Sequence, residues 1–154
     1  MAYLTENIDE KNQEIVQKLI NQCTGQLLSS KGYRVVDFLF TSEFPQLIEK
    51  HSREAFMEKI ESIKANSKSV SSLAKQLKPR YHFCPSEVYA ERIPYRNHKT
   101  LKEKPVLPTR FISIAPLLNN TKEKFIYALN IEPVVSLNTE SVITVLNHIF
   151  VFFL

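Results

Sequence analysis

The 154 residues suffice for one domain or a part of a larger one, and 44% are apolar against 23% charged, which excludes a disordered chain. Only two are glycine, Gly25 and Gly32, where an average domain of this length holds about ten; a P-loop or dinucleotide loop needs two or three within about eight residues, so neither can be written here. The net charge of +4 is modest, and Cys23 and Cys84 offer neither metal spacing nor a disulfide framework, which fits a reducing compartment.

The first six residues lack the basic and apolar regions of a secretory signal. From 9 to 30, Ile15, Val16, Leu19, Ile20, Cys23, Leu27 and Leu28 recur at three- and four-residue steps behind Asp9, which predicts an amphipathic helix ended by Gly32. The β-branched and aromatic run 34–41 predicts a buried strand, with a loop at 42–45. A second helix is expected over 46–64, its apolar side carrying Leu47, Ile48, Phe56, Ile60 and Ile63. A short helix from a Ser69 cap through Leu77 stops at Pro79.

The period then changes to two. Segments 80–84, 88–93, 109–115 and 124–131 read as strands separated by proline, asparagine and lysine clusters. Helices first and a strand meander later predict a mixed α/β layer. The tail 142–154 is strongly apolar yet shorter than the roughly 18 to 20 residues that span a membrane, so it reads as a buried last strand or helix, or as an atypical end.

Residues 75–110 carry nine lysines and arginines against three glutamates, interleaved with Tyr81, Phe83, Tyr89 and Tyr95. Such a segment can meet phosphates with its charges and bases with its rings. The competing reading is a solvated loop whose rings belong to the core. The loop after Pro94 concentrates the candidates Tyr95, Arg96, Asn97 and His98, joined by Arg80, Arg92 and Arg110; Tyr95 and Arg96 serve equally well to pin that loop to the sheet.

Residues 36–45 and 71–83, then Tyr89-Ala90-Glu91-Arg92-Ile93-Pro94-Tyr95-Arg96-Asn97-His98, 109–112 and 124–133, together resemble the CwfJ family of Cwf-nineteen-like proteins. The resemblance implies a spliceosome-associated protein that acts in the nucleus on the turnover of excised intron lariats, partnered by the lariat debranching enzyme and late spliceosome components, with RNA as a further contact. It implies the second half of a metallophosphoesterase-like α/β sandwich over 35–133. Residues 1–34 form a divergent helical N-terminus and 134–154 an apolar tail. The front half of that domain and the CwfJ region are expected outside this chain.

Active relatives bind two metals at strand ends. The resemblance matches Ser42 to a metal-binding histidine after the strand 36–41. It matches Ser86, Glu87 and Val88 to a His-x-His segment after 80–84, so Ser42, Ser86 and Val88 stand as degenerate ligand positions. A hydroxyl is a poor substitute for imidazole. His51, His82, His98 and His148 lie no closer than sixteen positions apart and do not rebuild the site. The expectation is a non-catalytic binding protein without metal or cofactor. The alternative is a metal-dependent phosphodiesterase whose ligands lie elsewhere.

Overall fold

A computed structural model describes residues 36–63, 67–95 and 107–136, together with positions 14, 15, 17, 18, 21 and 22, which are helical. Cys23, the candidates Arg96, Asn97 and His98, and residues 142–154 lie outside the described residues.

Among the described residues four strands form one sheet: β1 (Phe38–Phe40), β2 (Tyr81–Pro85), β3 (Ala90–Glu91) and β4 (Arg110–Ile114), in the spatial order β1-β2-β4-β3. β1 runs parallel to β2 and β2 parallel to β4, while β3 is antiparallel to β4. The α/β class is therefore seen, built on parallel pairs where successive hairpins would have made every pair antiparallel. Leu39, His82 and Phe111 share one register line, so they point to one face. Phe38, Tyr81 and Arg110 lie on the next line and point to the other.

Two helices cover the first face. In α1 (Glu54–Ile60), Phe56 and Ile60 are buried with Phe44, Ile48, Cys84, Ala90 and Phe111. Phe111 lies 5.1 Å from the Phe44 ring and edge-on to Phe56 at 6.3 Å. α2 (Lys68–Leu77) sets Ala74 and Leu77 against Leu39, with Val36 and Leu73 at the margin. Its cap is Ser67, whose hydroxyl accepts from the Val70 amide at 3.3 Å, two positions earlier than Ser69. It ends where Lys78 turns left-handed (φ 49°, ψ 56°) before Pro79.

Two expectations are corrected. The helix over 46–64 is confined to its second half, because residues 46–51 form turns with Leu47 and His51 at φ 62° and 59°. The carbonyls of Ile48 and Lys50, which a helix would use internally, accept instead from Arg92 Nε and Nη2, both at 2.7 Å. The segment 124–131 is not a strand either. It crosses the second face of the sheet diagonally: the Lys124 carbonyl accepts from the Ala115 amide just past β4, Tyr127 meets Phe83 edge-on at 5.7 Å, and the Glu132 carbonyl accepts from Arg80 at 2.6 Å. The crossing ends where the Val134 amide donates to both carboxylate oxygens of Asp37, at 3.1 and 3.0 Å. A 3-10 turn, Val134–Ser136, comes next.

Candidate functional site

Parallel strands direct their C-terminal ends to one edge, where α/β sheets bind ligands. Here the ends of β1 and β2 open on a cleft of about 480 Å3 lined by Ser42, Glu43, Phe44, Ile63, Ser67, Pro85, Ser86 and Glu87. Ser42 and Ser86, far apart in sequence, are brought together. Val88 does not line the cleft; its amide donates to the Ser86 hydroxyl at 3.3 Å and its carbonyl accepts from the Ser113 hydroxyl at 3.0 Å, so it belongs to the turn into β3. The cleft wall is held by backbone bonds from Gln46 to the Ser67 carbonyl (3.1 Å) and from Ser67 to the Phe44 carbonyl (3.2 Å).

The donors in the cleft are hydroxyls and two carboxylates, without an imidazole. Among the described residues no three His, Cys, Asp or Glu side chains gather closely enough to hold a metal ion. This donor set does not fit the two-metal clamp that activates water on a phosphodiester, which needs bridging carboxylates with imidazole or amide ligands around them.

The nearest histidine in the sheet, His82, is turned inward and fully buried. Its Nε2 lies 2.8 Å from the Thr41 hydroxyl, and that hydroxyl donates to the Glu43 carbonyl at 2.9 Å. Thr41 has one proton to give, so Nε2–H of His82 is the donor between them and Nδ1 is the bare nitrogen. Nδ1 finds no partner among the described residues. Burial depresses the pKa of His82 to about 4, which leaves the ring neutral at physiological pH. The same desolvation pushes the Cys84 thiol up to about 11, so Cys84 is a packing residue rather than a nucleophile.

The basic candidates divide by environment. Arg92 is buried; besides its bonds to Ile48 and Lys50 it donates to the Ile93 carbonyl at 3.1 Å and lies 4.3 Å from the Tyr95 ring centroid. Its donors are committed to the scaffold, and Tyr95 packs beneath it while its backbone exchanges hydrogen bonds with Thr109. Arg80 donates to Asp37 at 2.7 Å and to the Glu132 carbonyl, which fixes the crossing segment. Arg110 is more open, 3.7 Å from Glu91. Arg80, Arg92, Tyr95 and Arg110 thus do not converge on the cleft.

The Asp37 clamp, the His82–Thr41 pair and Glu43 escape a reading by motif, whereas Glu87 stands inside the matched segment 86–88. One signal was present for Glu43: the dipeptide Ser-Glu comes after both strands, as Ser42-Glu43 and Ser86-Glu87. For the first two, the partners lie 97 and 41 positions apart, beyond any local pattern.

No family model matches the chain. Curated proteins do. It is 41% identical over 108 residues to human CWF19-like protein 1, covering 70% of this chain and 20% of that protein. It is 36% identical over 132 residues to the mouse protein of the same name, covering 84% and 24%, and 29% identical over 132 residues to the fission yeast CWF19-like protein mug161, covering 86% and 23%. The chain thus spans between a fifth and a quarter of the length of these relatives. Over the stretch that it shares with them, the chain belongs to the CWF19-like protein family.

Proposed function

We propose that this chain contributes to a spliceosome-associated factor that acts in the nucleus in intron lariat turnover, as a binding partner of the debranching machinery and without phosphodiesterase activity of its own. Membership of the CWF19-like family supports the splicing context. One observation carries the non-catalytic part: where metal-binding imidazoles would stand at the ends of two adjacent parallel strands, Ser42 and Ser86 line the cleft beside Glu43 and Glu87. A binding role asks only that the fold present a surface, whereas hydrolysis asks for charge stabilisation at the scissile phosphate that hydroxyls do not supply.

The test uses the whole chain with a 2′,5′-branched RNA and manganese. The expected result is no cleavage by the chain alone, together with its recovery on immobilised lariat debranching enzyme. Cleavage that disappears on chelation would overturn the non-catalytic reading, and absence from the debranching enzyme would overturn the partnership.

A further inference from the structure

β1 is the outer strand of a sheet whose pairs are mostly parallel, and strands of this kind are ordinarily buried on both faces. The crossing segment shields the middle of the second face, where Phe83 and Ile112 are 6% and 0% exposed. It reaches only the start of β1. Phe38 and Phe40 are 39% and 72% exposed, although their rings join Tyr81 and Phe83 in one aromatic row. The backbone of β1 is open as well. The Thr41 amide donates to the Phe83 carbonyl, so Leu39 and Thr41 turn their peptide groups to β2, whereas those of Phe38 and Phe40 turn outward. No strand of the described residues pairs there.

The chain itself is delivered to this edge. The bifurcated hydrogen bond from the Val134 amide to the Asp37 carboxylate fastens the end of the crossing segment beside the start of β1. Residues 137–141 span on the order of 16 Å when extended, and β1 is about 10 Å long, so the segment beyond them reaches any point of the strand. That segment is 142–154, in which only Thr144, Asn147 and His148 are polar. In 149–154 both alternating sets, Ile149, Val151, Phe153 and Phe150, Phe152, Leu154, are apolar, the pattern of a strand covered on both sides.

We propose that residues 142–154 dock along the outer edge of β1 as a further strand and cover Phe38 and Phe40. The aromatic row favours this occupant over a stacking nucleic acid. Tyr81 and Phe83 lie 8° from parallel at 6.2 Å, and Phe40 and Phe83 17° from parallel at 5.4 Å. These rings therefore cover one another's faces, which leaves no gap for a base to slip between them, while the exposed parts of Phe38 and Phe40 suit aliphatic and aromatic side chains. Of the cations on this face, Arg80 is already paired with Asp37 and Arg110 lies 3.7 Å from Glu91.

The test is made on the whole chain by amide exchange and by a nitroxide at residue 150, introduced as Phe150→Cys in a Cys23→Ser background. The nitroxide is expected to broaden the Phe38, Leu39 and Phe40 amides of its own molecule. It should leave those amides sharp in isotope-labelled chains without nitroxide when the two are mixed. In the double variant Phe150→Asp, Phe152→Asp, exchange of the Phe38 and Phe40 amides should rise at least tenfold while Phe111 and Ile112 stay protected. Absence of broadening overturns the proposal, as does broadening that passes between molecules, which would make a second copy the occupant. Unchanged β1 exchange in a folded double variant overturns it too. Should the double variant not fold, the nitroxide measurement alone decides.

Discussion

His82 shows how much a single buried ring dictates. Neutral in the folded protein because desolvation holds its pKa near 4, it takes up a proton near pH 6.5 once the chain unfolds. The unfolded state therefore binds more protons between those values. Stability from this residue is fully present above pH 6.5 and is lost as pH falls towards 4, by at most about 3 kcal/mol. Urea midpoints should fall over that window, and His82→Gln should flatten the dependence; a slope identical in the variant would refute the assignment. Arg92 is the second such residue. With three backbone carbonyls on its guanidinium, Arg92→Lys should cost about 2–4 kcal/mol in denaturant unfolding despite the retained charge, because an ammonium cannot reproduce the fork. Of these two roles the sequence showed only residue types. An arginine in a basic segment looks the same whether it faces RNA or the carbonyls of residues 44 and 42 positions away.

Elements were legible where local chemistry decides them. The β-branched run at 34–41, the alternation at 80–84 and 109–115 and the helix ending before Pro79 all lie close to β1, β2, β4 and α2. The cap moved by two residues because either serine satisfies the pattern and only the backbone path from Phe44 to Ser67 chooses between them. The C-cap gives a direct test: Lys78 occupies the left-handed region, which costs a residue with Cβ about 1–2 kcal/mol. Lys78→Gly should raise stability by about 1 kcal/mol, measured as an increase in Tm, and a decrease would show that the Lys78 side chain outweighs the backbone gain. The segment 124–131 departs from its strand-like pattern for a different reason. Alternating Phe125, Tyr127 and Leu129 describes an extended chain, and an extended chain laid across a sheet has the same local pattern as one hydrogen-bonded within it.

At the scale of the molecule, Phe111 joins the layers. Fully buried in β4, it touches Phe44, Phe56 and His82, so α1, the turn beneath it and β2 all rest on one ring. Phe111→Ala should cost about 3–5 kcal/mol; a loss below about 1 kcal/mol by urea unfolding would show that the layers are held elsewhere. The sequence by itself determined the α/β class, the helix stop before Pro79, the absence of glycine-rich phosphate loops and the motifs that place the chain in its family, since each stems from local spacing or from residue types at fixed intervals. Tertiary structure alone decided that β2 and β4 run parallel, that Ser42 and Ser86 meet at one cleft, that Arg92 is spent on the scaffold and that Asp37 receives the chain at Val134. Each of these joins residues whose separation along the chain carries no periodic signal, and only packing of the sheet against its helices brings them together.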